Sequence, residues 1–192
     1  TVEVTPADLS VDVSRSFDNT SDPANYQLVA LPGSVDVDVA ETVSGSNGPD
    51  WRAFRELGGS DGGASLQDYG SEAFSFQPGV GVWVIAKDGW SYENTVPAVS
   101  AADGTPSIAL QEGWNAVSNP LQSDLPWSAV QQASGLEEAL WRWNGAWERA
   151  DTLGSATSGE AYYVFNGAGV DSLDLTSTAG SNTTLATATA ES

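Results

Sequence analysis

Residues 110–120 read Leu-Gln-Glu-Gly-Trp-Asn-Ala-Val-Ser-Asn-Pro, and the fold prediction starts from this stretch. Gly113 supplies a backbone without a Cβ for a tight turn, and Trp114 follows it as a large apolar anchor. The next residues continue an extended run, which Pro120 ends because proline has no N–H to donate to a neighbouring strand. The stretch therefore predicts a turn followed by a short buried strand.

A weaker copy of this pattern lies upstream, in residues 26–32. Three positions recur at a constant spacing of 88 residues: Tyr26 and Trp114, Val29 and Val117, and Pro32 and Pro120. A second pair of segments, 82–85 and 162–165, matches at a spacing of 80 residues, and each follows a glycine turn. Because the two matches occur in the same order, they indicate a fused duplication, and two copies are too few for a solenoid.

The predicted fold class is all-β, with two similar antiparallel, sandwich-like units from an internal duplication and one short helix. The predicted organisation is an N-terminal strand and loop at 1–25, a first β unit at 26–93, a connector at 94–106, a second β unit at 107–175 and a Thr/Ala-rich C-terminal segment at 176–192.

Local patterns predict individual elements within these units. Residues 126–133 form the best helical stretch, with a proline in the first turn, and residues 137–140 are expected to extend it by a turn. The Asn-Gly pair within 141–147 predicts a hairpin between two aromatic strands. Alternation of valine and aspartate over 35–39 favours a half-buried strand over a calcium site, and residues 81–85 predict a strand buried on both faces.

The charge balance limits the partners of this chain. It has 26 acidic residues against 6 basic ones, a net charge of −20. Such a surface repels nucleic acid and anionic membranes, and no apolar run approaches the ~20 residues that span a bilayer. We therefore expect no nucleic-acid partner and no membrane insertion. A lysine-poor acidic surface is also typical of proteins that stay soluble in concentrated salt, with an ordinary acidic secreted protein as the alternative.

The chain has no cysteine and no histidine. Disulfides, cysteine-ligated metals and Ser-His or Cys-His nucleophile pairs therefore cannot form, and zinc lacks its preferred ligands. No metal and no cofactor are expected. Methionine is absent as well, and the chain opens at Thr1, so the sequence is expected to be a processed product or an excised piece.

The Gly-Trp-Asn-x-x-x-Asn-Pro run at 113–120, followed by Pro-Trp-Ser-Ala-Val at 126–130, resembles a known type of domain. It is similar to a duplicated β-domain that recurs in large secreted and cell-surface proteins of bacteria, often beside adhesion modules or sorting signals. Segments 140–145 and 159–165 extend the resemblance, which covers about residues 26–175. The resemblance implies an extracellular or cell-surface location and a non-catalytic role, and it names no ligand.

Eight tryptophans and five tyrosines suggest carbohydrate binding, because flat aromatic faces stack on pyranose rings. The candidate ligand-binding residues are Trp90, Trp143, Trp147 and Arg149. Trp90 follows Asp88-Gly89 in an expected turn, so it is predicted to be the most exposed of the tryptophans.

Packing is the alternative explanation for these aromatic residues. Trp83 and Trp114 lie in apolar strand patterns and are predicted to be buried. Strand alternation places Trp141 and Trp143 on one face of the hairpin, and that face is predicted to form the seam between the units rather than a ligand platform.

The sequence therefore predicts a non-enzymatic secreted surface module that acts as a structural or adhesive building block. Its expected partners are other copies of itself, joined through the terminal stretches 1–13 and 176–192, or neighbouring surface proteins. A carbohydrate-binding module that takes polysaccharide on exposed tryptophans is the alternative. A glycoside hydrolase is less favoured: it needs two carboxylates ~5–10 Å apart, and no acid pair is marked by an apolar setting.

Overall fold

The computed structural model describes residues 8–18, 21–59, 65–99 and 106–176. Within these ranges the chain consists mainly of antiparallel strands with two short α-helices, so the predicted all-β class is confirmed. Most of the terminal stretches 1–13 and 176–192 lie outside the described residues.

The first half of the described chain contains eight strands and one α-helical turn, besides a 3-10 turn at Pro23–Asn25. In chain order they are β1 (Asp8–Arg15), β2 (Gln27–Val29), β3 (Val37–Asp38), α1 (Val39–Thr42), β4 (Trp51–Glu56), β5 (Leu66–Asp68), β6 (Ser75–Phe76), β7 (Val82–Ala86) and β8 (Trp90–Pro97).

The second half repeats this order of strands and α-helix, with its 3-10 turn at Ala156–Ser158. It contains β9 (Ser107–Ala109), β10 (Gly113–Val117), β11 (Leu125–Pro126), α2 (Trp127–Ser134), β12 (Leu140–Trp143), β13 (Trp147–Ala150), β14 (Thr152–Leu153), β15 (Tyr162–Asn166) and β16 (Ser172–Asp174).

The strand pairing is also the same in both halves. The two four-stranded sheets have the orders β2-β7-β4-β5 and β10-β15-β12-β13. In the first sheet Val29 lies opposite Val82, and in the second Val117 lies opposite Tyr162. Val117 is 88 residues after Val29, and Tyr162 is 80 residues after Val82, which are the two spacings found in the sequence. Strands β1 and β8 pair as β9 and β16 do, and β3 and β6 pair as β11 and β14 do. The duplication predicted from the two spacings therefore extends to strand order and register.

Each half has its own apolar core on one face of its four-stranded sheet. In the first half, Val11 and Val13 of β1 pack with Ala53 and Val84 from the sheet, and all four are at most 2% exposed. In the second half, Val130 of α2 joins strand residues such as Leu140, Val164 and Leu173 in the corresponding core. The alternation that was read from the sequence directs these side chains inward, because successive side chains of a strand point to opposite faces.

Two local predictions are wrong, and capping explains both. Residues 35–39 do not form one strand: β3 covers only Val37–Asp38, and α1 begins at Val39 because the Asp38 carboxylate accepts a hydrogen bond from the N–H of Ala40 at 2.8 Å. Residues 137–140 do not extend the helix, because α2 ends before Gly135, which is left-handed with φ of 70° and donates its N–H to Gln131 O.

Other predictions are confirmed. The hairpin at 141–147 is formed by β12 and β13, and the strand predicted at 81–85 is β7. Its predicted burial on both faces fails at one position, because Trp83 is only partly buried. Strand β1 pairs along its whole length with β8, from Asp8 opposite Pro97 to Arg15 opposite Trp90. The N-terminal strand is therefore part of the first half, and residue 94, the predicted start of the connector, lies inside β8.

Candidate functional site

The two halves contact each other through reciprocal hydrogen bonds. The N–H of Ala30 donates to Gly159 O at 3.0 Å, and the N–H of Ser118 donates to Gly79 O at 2.9 Å. Since Ser118 and Gly159 occupy the positions in the second half that Ala30 and Gly79 occupy in the first, the same contact is made in both directions. Reciprocal contacts of this kind are typical of a twofold interface, here within a single chain.

Small residues let the two sheets approach closely at this seam. A Cβ placed on Gly81 would lie 2.6 Å from the Cβ of Ala161, a separation that side chains do not tolerate. A third apolar cluster fills the space between the halves, and its buried members are Leu28, Ala30, Ala116, Ala161 and Tyr163. The two sheets are therefore held in one fixed arrangement.

The second-half sheet carries an aromatic pocket on the face opposite its own core. The pocket has a volume of about 390 Å³, and one residue from each of the four strands lines it: Trp114, Trp141, Trp147 and Tyr163. Its surface is mainly apolar, which is typical of a site that binds an uncharged face of a ligand.

The first half carries a corresponding pocket of about 360 Å³. Its wall contains Tyr26, Phe54, Leu66 and Trp83, which occupy the positions of Trp114, Trp141, Trp147 and Tyr163 in the repeat. Pro23, Trp143 and Trp147 complete it. The duplication has therefore produced the same four-position pocket twice, with different side chains in each copy.

Trp147 connects the two pockets, because its indole lines both of them. It is 45% exposed and makes T-shaped contacts with Trp83 of the first half at 5.9 Å and with Tyr163 of the second half at 5.3 Å between ring centres. The pockets thus form one continuous surface. We call it the aromatic trough, formed by Tyr26, Phe54, Leu66, Trp83, Trp114, Trp141, Trp143, Trp147 and Tyr163.

A chain of hydrogen bonds supports the floor of the trough across the seam. The indole N–H of Trp83 donates to the hydroxyl of Tyr163 at 2.9 Å, and that hydroxyl donates to the Glu56 carboxylate at 2.9 Å. The other oxygen of Glu56 accepts the backbone N–H groups of Gly58 and Ser65. Burial, followed by the negative charge of Glu56, raises the pKa of the Tyr163 hydroxyl above its usual range.

This arrangement predicts that the protein loses stability at alkaline pH, and that Tyr163→Phe makes this loss smaller. Above about pH 10 the unfolded chain loses the tyrosine proton while folded Tyr163 keeps it, so the free energy of unfolding falls as pH rises. Tyr163→Phe lowers stability at neutral pH by about 1–2 kcal/mol, because Trp83 and Glu56 each lose a partner. Above pH 10 the free energy of unfolding of the variant should fall less steeply with pH than that of the wild type, and the difference in slope should correspond to about one proton. Urea unfolding at several pH values measures both effects, and an unchanged alkaline slope would contradict the proposed protonation state.

Two arginines lie on the trough face of the sheets. The Arg149 guanidinium stacks over the Trp141 ring at 5.6 Å from its centre, and that of Arg52 lies 5.0 Å from the centre of Phe54. Arg52 also pairs with Asp68 at 2.6 Å, whereas Arg149 makes no ion pair within the described residues. These side chains place hydrogen-bond donors beside the aromatic surfaces.

Three of the four predicted ligand-binding residues meet at this site. Trp147 lies at its centre, Arg149 covers Trp141 at one side, and Trp143 lines the first-half pocket. Trp143 also lies at the seam, as its hairpin face was predicted to, because its indole N–H donates to Tyr26 O at 2.9 Å across the halves. The seam and the exposed aromatic surface are thus parts of the same sheet face.

The predicted exposure of Trp90 is wrong. Trp90 is 5% exposed and packs in the first core, with its ring centre 6.2 Å from that of Phe76. The turn at Asp88-Gly89 ends before Trp90. Trp90 is therefore the first residue of β8, and its side chain points toward the core. Trp90 is therefore not part of the trough.

Sequence reasoning also missed several residues of the trough. Trp83 and Trp114 were expected to be buried but are only partly buried and line the pockets, and Tyr26, Phe54 and Leu66 were not considered as ligand contacts. The repeat carried the signal only in part, because the equivalence of Phe54 with Trp141 and of Leu66 with Trp147 becomes visible when the strand registers of the two hairpins are compared.

Comparison with known proteins does not add to this description. No protein-family model, no curated protein and no solved structure matches this chain.

Among the helices of the described ranges, none is long and apolar enough to cross a bilayer. The same ranges contain no group of three or more acidic residues placed to hold a metal ion. The resemblance to a duplicated surface-protein domain stays a prediction, and the aromatic trough is the candidate functional site.

Proposed function

We propose that this chain is a non-enzymatic adhesive module of a secreted or cell-surface protein, and that it binds carbohydrate in the aromatic trough. The observation that carries the proposal is the repetition of the pocket at the same four positions of both halves. Core packing does not require large apolar groups in contact with water at these positions. Yet Leu66 is 48% exposed and its counterpart Trp147 is 45% exposed.

The chemistry of the trough favours a saccharide among small-molecule and polymeric ligands. Flat aromatic rings stack on the C–H faces of pyranoses, and shallow open pockets suit a ligand that is part of a longer chain. Arg149 and the Arg52–Asp68 pair supply polar groups beside the rings, where sugar hydroxyls need hydrogen-bond partners. A nucleic acid would also stack on aromatic rings, but the net charge of −20 opposes its approach.

The extracellular setting is part of this proposal, and so is a saline one. The resemblance to a surface-protein domain supports the first, and the excess of acidic residues supports the second, because it keeps a chain soluble when salt screens its charges. Self-association through the terminal strands stays a prediction, since residues 1–7 and 177–192 lie outside the described part of the chain. The glycoside-hydrolase alternative gains no support from two acids of the second half, since Glu148 pairs with Arg142 and Glu160 accepts a hydrogen bond from the Tyr162 hydroxyl.

The test of the proposed function is retardation of the protein in native gels that contain soluble polysaccharides. We expect at least one polysaccharide to retard the wild-type protein, and Trp147→Ala to weaken that binding by about tenfold or more, because it removes the ring shared by both pockets. Circular dichroism should show a folded variant, since Trp147 is half in solvent.

Leu57→Ala is the matched control for this experiment. Leu57 is an exposed large apolar residue like Trp147, at 42%, but it lines neither pocket. We expect this variant to bind as the wild type does. Retardation by no polysaccharide, or equal binding by Trp147→Ala and the wild type, would refute the proposed function.

A further inference from the structure

We infer that one chain of an uncharged polysaccharide lies along the aromatic trough and contacts both halves of the protein at once. This inference rests on the proposed function and adds the class of ligand and its mode of binding. It treats the two pockets as subsites of a single site, rather than as separate sites for separate chains.

The contacts of Trp147 are the first argument for a single site. A ligand in either pocket touches the same indole, which lies against Trp83 on one side and Tyr163 on the other. Trp143 adds a further ring at 5.0 Å from Trp147, on the first-half side. With no gap between the pockets, a polymer that occupies one pocket is already placed at the entrance of the other.

The rigid seam is the second argument. Hydrogen bonds from Trp83 to Tyr163 and from Trp143 to the Tyr26 carbonyl cross between the halves beside the trough. The spacing of the two pockets is therefore set before any ligand binds. Linked sites at a fixed spacing raise the effective concentration of the second contact once the first is made, so a chain long enough to reach both pockets binds more tightly than a short one.

Charge decides the class of polysaccharide. The chain carries a net charge of −20, and the trough face offers Arg149 and an Arg52 that Asp68 already neutralises. A polyanion such as alginate would meet repulsion without enough compensating cations, whereas a neutral glucan or mannan would not. A second copy of this chain carries the same charge, which disfavours it as the occupant at low ionic strength.

The two pockets differ in the make-up of their walls, which predicts an order of filling. Every residue that lines the second-half pocket is aromatic, whereas the wall of the first-half pocket also contains Pro23 and Leu66. A short oligosaccharide should therefore occupy the second-half pocket first, because that pocket is slightly larger, at about 390 Å³ against 360 Å³, and its wall consists of rings alone. Only a longer chain should depend on Phe54 and Leu66.

The experiment uses the full chain and four probes in native gels: hydroxyethylcellulose, glycol chitin, galactomannan and alginate. We expect one or more of the first three to retard the protein and alginate not to. The retarding polysaccharide is then partly hydrolysed and size-fractionated, and its short and long fractions are titrated calorimetrically. The long fraction should bind about tenfold more tightly or better, with one oligosaccharide per protein.

Variants of the first-half pocket complete the test. Leu66→Ala and Phe54→Ala should weaken binding of the long fraction severalfold and leave the short fraction unchanged, while Leu57→Ala changes neither. Leu66→Ala keeps the test valid if Phe54→Ala fails to fold, because Leu66 is largely in solvent.

The outcomes separate this inference from the proposed function. Equal affinity of short and long fractions, two long chains per protein, or retardation by alginate alone would overturn the inference and leave carbohydrate binding standing. Retardation by no probe, together with a dimer that Trp147→Ala dissociates, would show that a second copy covers the trough and would remove both proposals.

Discussion

Gly113→Ala should lower the free energy of unfolding by more than about 4 kcal/mol, a loss that few single substitutions produce. A Cβ at this position would lie 1.8 Å from the carbonyl oxygen of Gly59, which is a backbone atom and cannot rotate away. The N–H of Gly59 donates to Glu112 O at 2.9 Å, so relieving the clash would also break a contact between the halves. Gly113 has φ of 86° in addition, where an L-residue is strained.

Gly48→Ala separates the two causes. Gly48 has φ of 88°, but a Cβ there would meet nothing within 4 Å, so the variant measures backbone strain alone. We expect it to cost about 1–2 kcal/mol. Urea unfolding of both variants gives the comparison. Equal losses would contradict the view that close approach of the halves, rather than the left-handed conformation, makes glycine necessary at 113.

Trp90→Ala should lower the free energy of unfolding by about 3–5 kcal/mol, because removing a buried tryptophan leaves a cavity in the first core. Chemical unfolding followed by circular dichroism measures the loss. The fraction of the variant that remains folded should bind polysaccharide with the affinity of the wild type, since Trp90 lies on the opposite side of the sheet from the trough.

Trp147→Ala is the comparison for this variant. It removes the same side chain from a half-exposed position and should cost about 1–2 kcal/mol through its lost aromatic contacts. Trp90→Ala should thus mainly lower stability, whereas Trp147→Ala should mainly weaken binding. A stable Trp90→Ala variant that fails to bind polysaccharide would restore the sequence-based prediction that Trp90 is a ligand contact.

The duplication could be read from the sequence because each of the repeated patterns lies within a few consecutive residues. Val29 and Val117 lie in matching strands, and Trp83 and Tyr163 lie in the strands that pair with them. Since segments with the same pattern take the same register, two constant spacings were enough to predict two similar sheets. The helix start near Trp127 followed from local chemistry in the same way.

The candidate site was harder to predict, because the repeat spacing changes at the hairpins. Nine residues separate the end of β4 at Glu56 from the start of β5 at Leu66, whereas only three separate the end of β12 at Trp143 from the start of β13 at Trp147. The spacing therefore shortens between Phe54 and Leu66, and their equivalence to Trp141 and Trp147 is hidden. Strand pairing restores it, because the register of each hairpin is explicit in the structure.

The sequence by itself determined which residues share a face, since alternation, turn glycines and helix caps act over a few residues. It did not determine which face of each sheet would be covered. Trp90 and Trp147 both follow a turn at the start of a strand, yet one is buried and the other is half-exposed. Burial depends on what packs against a face, and here that is decided by contacts between distant parts of the chain and by the reciprocal seam between the halves.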